Sequence, residues 1–136
     1  MGLDNGIIVR HREGRPIYIP RRYYDYVYEL GGNPQYEIAY WRKCWGLRDK
    51  ILDILNIDQS DYDSYDINLD RDDIKNIIKL LKKFTKKDYW NKYADSIWSF
   101  NIDIYKRQKR IIRNLKFIHW RMRLDPEINV YFYDSY

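Results

Sequence analysis

One stretch of this chain combines the two kinds of side chain that a phosphorylated, ring-containing ligand needs. Between Ile104 and Leu124 lie eight of the 25 basic residues and none of the 20 acidic residues. In a helix, at about 100° per residue, one face of this stretch carries Lys109, Arg110, Arg113, Lys116, Phe117 and Trp120. Guanidinium groups grip phosphate bidentately, and an aromatic face stacks a nucleobase. The pattern therefore predicts a binding site for an anionic nucleotide ligand.

Phe117 and Trp120 also have a plainer interpretation. Large aromatic side chains are more often buried than displayed, so the two rings could pack under the N-terminal strands or in a dimer interface. The basic residues would then form only a rim. The acidic residues gather between Asp58 and Asp73, and they could neutralise the basic end within the molecule or between two copies of it.

A second group of candidate ligand-binding residues surrounds Arg48. On a wheel of the first predicted helix, Arg48 lies on the apolar face beside Trp41 and Trp45. Burying an unpaired charge costs several kcal/mol, so the guanidinium must find a partner. Either it forms a structural ion pair with a carboxylate such as Asp4 or Glu37, or it is held between two indoles and binds phosphate or carboxylate.

Residue types that could catalyse a reaction or bind a metal are few. The single Cys44 falls on a predicted core line, and His11 and His119 are the only imidazoles. Neither histidine stands beside a nucleophile in the sequence, and the Asp-rich run at 61–66 lacks the glycine and glutamate of a calcium loop. We therefore expect a non-enzymatic protein without catalytic residues, metal or cofactor. A phosphodiesterase that uses one of the histidines is the least favoured alternative.

The helices that must position these side chains follow from hydrophobic periodicity. Four-three spacing of Tyr40, Cys44, Leu47, Ile51 and Ile54 predicts a helix from about Pro34 to Leu55. After a polar, Asp-rich loop, a second helix is expected over about Leu69 to Thr85, with aspartates at its N-terminus. A third is expected from Asp88 or Ser96 to Leu124, where Pro126 stops it.

The strands are predicted near the two ends of the chain. Asp4-Asn5-Gly6 is typical of a turn. Ile7–Arg10 and Ile17–Ile19 then indicate a hairpin around Glu13-Gly14, while Arg21–Leu30 fits either a strand or a helix. Ile128–Tyr133 is strand-like. We expect an α+β fold in which a small antiparallel sheet from the N- and C-terminal strands packs against about three helices, as a single domain over residues 1–136.

The sequence also bears on where the protein acts. It has no apolar run of the roughly 18–20 residues that span a bilayer. Its first residues lack the basic and apolar regions of a signal peptide, and Gly6 stands where a myristoylation site needs Ser or Thr. We therefore expect a cytoplasmic protein with no membrane partner.

Three blocks of sequence carry a resemblance: MGLDNGI at residues 1–7, YWRKCWGLR at 40–48 and YFYDSY at 131–136. They resemble a group of small proteins of phages and prophages in low-GC bacteria. No activity or catalytic residue carries over from this group. The resemblance implies only a provenance, and small phage accessory proteins often counter host defence. They do so by sequestering a nucleotide signal, by capping an effector protein, or by binding or mimicking nucleic acid.

Three readings of the function remain open on the sequence. The first is binding, without conversion, of an anionic nucleotide ligand such as a bacterial defence second messenger. The second is direct inhibition of a host defence protein, because Tyr, Trp and Arg also dominate protein interfaces. The third is single-stranded nucleic-acid binding through the basic helix. A homo-oligomer is expected, since small domains often complete a ligand pocket by self-association.

Overall fold

The α+β prediction is confirmed by the architecture. A computed structural model describes residues 4–12, 14–30, 33–42, 45–58, 66–84 and 102–135. In chain order these residues form β1 (Asp4–His11), a 3-10 turn (Arg21–Tyr23), β2 (Tyr26–Leu30), β3 (Asn33–Arg42), α1 (Trp45–Ile54), β4 (Ile67–Leu69), α2 (Arg71–Lys83), α3 (Ile102–Leu124) and β5 (Ile128–Ser135).

The two ends of the chain form the middle of the sheet. All five strands are antiparallel to their neighbours, in the order β2-β3-β1-β5-β4. Ile7 of β1 lies between Ala39 of β3 and Phe132 of β5, and these three side chains have no exposed surface. The apolar runs near the termini are therefore central strands, because two paired neighbours and a covering helical layer remove them from water.

The helical layer packs α2 against α3 and both against the sheet. The predicted stripe of α2 is buried at Ile74, Ile77, Ile78 and Leu81, as is the α3 line at Ile111, Leu115 and Ile118. Asp70 caps α2 reciprocally: its carboxylate accepts from the amide of Asp73, and the Asp73 carboxylate accepts from the amide of Asp70. Such a box satisfies two otherwise orphaned amides, which is why α2 begins here. The predicted line residues Ile97 and Ile104 lie outside the described side chains.

The predicted helix from Pro34 to Leu55 is wrong in its first half, which forms β3. The register between β1 and β3 shifts at Ile7/Ile8, so β3 carries one extra residue at this point. Ile38 and Ala39 are consequently both buried although they are adjacent. This bulge breaks the two-residue alternation that would mark a strand, while the four-residue step from Tyr40 to Cys44 continues the helical spacing of α1 back into β3.

Three further predictions near the strands are corrected, and one alternative that the sequence left open is resolved. Asp4-Asn5-Gly6 is not a turn but the start of β1, and residues 15–20 form no strand. Pro16 and Pro20 cannot donate to a ladder, so this segment is irregular, although Ile17 is buried and its carbonyl accepts the Tyr36 hydroxyl at 2.7 Å. The ambiguous stretch at 21–30 is a 3-10 turn followed by β2. The Asp-rich loop gives way to β4, which pairs with β5.

The second face of the sheet is rich in tyrosine hydroxyls bonded to carboxylates and amides. Tyr133 donates to Glu37 at 2.6 Å, and Tyr131 donates to Gln35 at 2.7 Å. Gly6 lies beneath the Tyr133 ring, and a Cβ at this position would stand 2.5 Å from the carbonyl oxygen of Ala39. Only glycine fits at position 6, because any side chain would collide with the β3 backbone. This steric need, and not a turn, explains why Gly6 follows Asp4 and Asn5 in the sequence.

Candidate functional site

The exposed face of α3 is the strongest candidate for a binding surface. Lys109, Arg113 and Lys116 are exposed, while Asn114 between them is fully buried and donates to the carbonyl of Ile38 at 3.0 Å. That bond ties α3 to the bulge of β3 and fixes the rotation of the helix on the sheet. The predicted division of α3 into a core line and a basic face is therefore what the structure shows in its described residues.

Three aromatic rings form a platform at the C-terminal half of this face. The Tyr23 ring stacks on Phe117 with centroids 4.0 Å apart and planes 2° from parallel, and Phe117 lies 5.9 Å from Trp120. Phe117 is half-buried, but Trp120 is 52% exposed. An indole that has already lost part of its hydration and still shows half its surface can stack a flat ligand at little further cost.

Arg113 links the platform to the 3-10 turn. Its guanidinium donates to the carbonyl oxygen of Arg22 at 2.6 Å and stands 5.8 Å from the Tyr23 ring centroid. The Arg22 guanidinium lies 4.9 Å from the same ring. The backbone bond and the cation–π contacts hold Arg113 in one place while its outer face stays in solvent.

The lysines of this face are not neutralised. Within the described residues, no carboxylate lies within ion-pair distance of Lys109, Arg113 or Lys116. Lys116 instead approaches Lys82 of α2, and this neighbouring positive charge lowers the pKa of Lys82 below its ordinary value. Two ammonium groups brought together without a carboxylate create a local potential that attracts an anion.

These side chains enclose an open groove of about 420 Å³. Its lining combines the aromatic platform, one aliphatic side chain and three cations, namely Tyr23, Lys109, Ile112, Arg113, Lys116, Phe117 and Trp120. We call it the α3 groove. A volume of this order lies within the range of small-molecule sites, and a mixed apolar and cationic lining suits a ligand with one flat and one charged end.

A second cleft of about 440 Å³ adjoins the α3 groove, and Arg113 lines both. Its other walls are Arg21, Arg22, Tyr24, Asp25 and Arg110. The Asp25 carboxylate forms ion pairs with Arg110 at 2.8 Å and with Arg107 at 3.8 Å, so it compensates part of this charge. We call this the arginine cleft.

The two described residues of the second predicted group, Trp41 and Arg48, are buried and do not share a helix face. Trp41 lies on β3 with 2% of its surface exposed, and Arg48 lies on α1 with 6% exposed. The Arg48 Nε donates to Asp134 of β5 at 2.5 Å, and its Nη1 donates to Asp49 at 3.3 Å. The main carboxylate partner is therefore Asp134, which the sequence did not suggest. The predicted common face fails because β3 ends before α1 begins. The side chain of Trp45 lies outside the described residues.

Sequence reasoning missed seven residues of this surface: Tyr23 and Ile112 of the α3 groove, Arg21, Arg22, Tyr24 and Asp25 of the arginine cleft, and Lys82 beside Lys116. The run Arg21-Arg22-Tyr23-Tyr24 repeats the cation-plus-ring composition of α3 and was the available signal. The sequence could not show that this run packs against α3, because the 3-10 turn meets α3 only through the tertiary fold.

The two histidines stand in different surroundings. His11 is buried, with Nε2 at 3.9 Å from Asp125. Burial and the charges of Arg71 and Lys75 lower the pKa of His119. Among the described residues, no three His, Cys, Asp or Glu side chains are placed to share a metal ion. A search of the same residues also finds no helix with the length and apolarity needed to cross a bilayer.

Comparison with known proteins yields no relative: no family model, curated protein or solved structure matches this chain.

Proposed function

We propose that this protein binds a nucleotide ligand in the α3 groove and holds it without converting it. A base stacks on the exposed face of Trp120, and its phosphate is gripped by Arg113 with Lys109 and Lys116. A bacterial defence second messenger, such as a cyclic dinucleotide or a cyclic ADP-ribose isomer, is the small ligand of this class that the chain would sequester in the cytoplasm.

The observation that carries the proposal is a half-exposed indole beside cations that no described carboxylate compensates. Trp120 contributes little to the core, because 52% of its surface remains in solvent. The closeness of Lys82 to Lys116 costs electrostatic energy in the free protein, and a bound phosphate would remove that cost. A surface that served only solubility would intersperse the two signs of charge.

The experiment is a calorimetric and thermal-shift screen against cyclic dinucleotides, cyclic ADP-ribose isomers, mononucleotides and short oligonucleotides. We expect saturable binding of at least one class, and recovery of the ligand unchanged after the protein is heat-denatured. Recovery of a chemically altered ligand would replace the proposal with an enzyme. Failure of every ligand to bind, together with a stable complex on one host protein, would replace it with a direct protein inhibitor.

Two variants localise the site. Trp120→Ala removes the stacking surface, and base–aromatic stacking is worth about 1–3 kcal/mol, so affinity should fall about 5- to 150-fold. Lys109→Ala removes one uncompensated cation. Lys50→Ala is the matched control, because Lys50 is an exposed lysine of α1 that lines neither cleft. Equal losses in Lys109→Ala and Lys50→Ala would mean that net charge, and not the α3 groove, binds the ligand.

A further inference from the structure

A third basic cleft lies around the turn that ends β1. It measures about 450 Å³ and is lined by Arg10, His11, Arg12, Gly14, Arg15, Asn33, Pro34 and Gln35. Arg10, Arg12 and Arg15 are exposed. The Arg10 guanidinium stands 5.0 Å from the Tyr131 ring centroid, which orients it. We call this the turn cleft.

The turn cleft is basic on balance. Within the described residues, no carboxylate lies within ion-pair distance of Arg10 or Arg12. One carboxylate near the cleft is that of Asp125, which is 3.9 Å from the buried His11 Nε2. The exposed guanidinium groups of Arg10 and Arg12 suit a second phosphate.

The segment at residues 15–20 connects the turn cleft to the arginine cleft. Arg15 lines the first, and Arg21 directly after the segment lines the second. Ile17 and Ile19 point into the core, whereas Tyr18 between them is 78% exposed. A tyrosine that exposes this much ring contributes little to folding. Its ring lies on the chain path between two groups of arginines.

The cations and rings extend over more than the length of one nucleotide. α3 alone advances about 16 Å from Lys109 to Trp120, and the six residues between Arg15 and Arg22 allow a further separation of up to about 25 Å. Proteins bind a single nucleic-acid strand independently of its sequence by placing cations at intervals along it, with exposed aromatic rings between them.

We infer that the α3 groove, besides a small nucleotide, also accepts one end of a single-stranded nucleic acid whose chain continues through the arginine cleft and over Tyr18 into the turn cleft. This inference rests on the proposed function and extends it to a longer ligand of the same chemistry. The strand stacks bases on Trp120 and Tyr18 and places phosphates on Arg113, on Arg21 and Arg22, and on Arg10 and Arg12.

The test is fluorescence anisotropy with oligothymidylates of about 4 to about 16 nucleotides, the span of site sizes known for single-strand grooves. Affinity should increase with length and then level off. Tyr18→Ala should weaken the longest oligomer about 5- to 150-fold and leave a dinucleotide unaffected, while Trp120→Ala should weaken both. Because Tyr18 is largely exposed, this variant should unfold at the same temperature as the parent protein.

The cations of the turn cleft are tested by salt dependence. For a single strand, the slope of log affinity against log salt changes by about 0.7 for each phosphate contact. Arg10→Ala/Arg12→Ala should make the slope for the longest oligomer shallower by about that amount per residue. Lys50→Ala/Lys83→Ala removes the same charge from exposed positions that line none of the three clefts, and it should leave the slope unchanged.

The outcomes separate this inference from the proposed function. Equal affinity for a dinucleotide and for the longest oligomer, with no effect of Tyr18→Ala, would contradict binding of a nucleic-acid strand. The α3 groove would then remain a site for a small nucleotide. Absence of binding to nucleotides of every length would overturn both. Equally tight binding of polyglutamate, with the same dependence on Tyr18, would show that the three clefts recognise acidic protein surfaces and not nucleic acid.

Discussion

At the scale of single residues, the buried cation of α1 shows how a charge suggestive of a ligand site can be structural. Arg48 and Asp134 are 6% and 4% exposed, and they meet at 2.5 Å. The pair connects α1 to the last strand of the sheet. Its partner could not be named from the sequence because 86 residues separate the two side chains. The sequence did indicate that Arg48 needed a partner, since an unpaired buried charge is too costly.

Arg48→Met should destabilise the fold strongly, because it leaves the Asp134 carboxylate buried without its guanidinium. We expect the free energy of unfolding in urea to fall by about 3–5 kcal/mol. Arg48→Met/Asp134→Asn removes both charges and should recover much of this loss. A single variant that costs nothing measurable would mean that the pair is dispensable. If the folded Arg48→Met variant loses nucleotide affinity, Arg48 belongs to the binding site after all.

Glu37 is the residue whose ionisation should make stability depend on pH. Burial raises the pKa of Glu37, although the hydrogen bond from Tyr133 opposes the change. A carboxyl group with a raised pKa stabilises the fold fully below its unfolded-state pKa, and that contribution is lost as the pH rises through the folded-state pKa. The neutral variant Glu37→Gln should therefore gain stability over the parent protein as the pH rises from about 4 to 7. A difference between the two proteins that stays constant over this range would contradict the prediction.

At the scale of elements, the sequence predicted the features that local signals determine and missed those that depend on long-range contacts. α2 was predictable because its capping aspartates and its apolar stripe lie within one short stretch. β3 was not, because the bulge at Ile38 and Ala39 changes the phase of the pattern and no proline or glycine separates β3 from α1. The basic face of α3 was predictable from its period alone, whereas Tyr23 reaches it only through the fold.

Asn114 is expected to hold α3 in register with the bulge of β3. Asn114→Ala removes the donor to the Ile38 carbonyl and leaves this buried oxygen without a partner, which costs about 1–3 kcal/mol. Chemical denaturation measures that loss. Ile112→Ala is a half-buried comparison on the same helix that leaves the bond intact. An Asn114→Ala protein as stable as the parent would show that the bond does not fix the helix.

At the scale of the whole molecule, the distribution of charge matters more than its total. The net charge of +5 is modest, yet cations line all three clefts, and Arg113 is common to two of them. A field of this kind draws in a polyanion and orients it before contact. The expected homo-oligomer stays a prediction, and light scattering during size-exclusion chromatography measures it directly.

Salt dependence should report on this field as a whole. With three exposed cations in the α3 groove, binding of a short single-stranded oligonucleotide should weaken with a log–log slope of about −2 or steeper. Lys109→Ala/Lys116→Ala should flatten the slope, while the charge-matched Lys50→Ala/Lys83→Ala should not. A slope near zero in the parent protein would mean that phosphates are not what the surface binds.

The most direct test of the central claim is a nuclear magnetic resonance titration of the labelled protein with a short oligothymidylate and, separately, a cyclic dinucleotide. If the α3 face is the ligand surface, the first resonances to move are the indole N–H of Trp120, the amides of residues 109–120 and those of the 3-10 turn at 21–23. Resonances that move around Arg48 and Trp41, or elsewhere, while those of α3 stay fixed would contradict it.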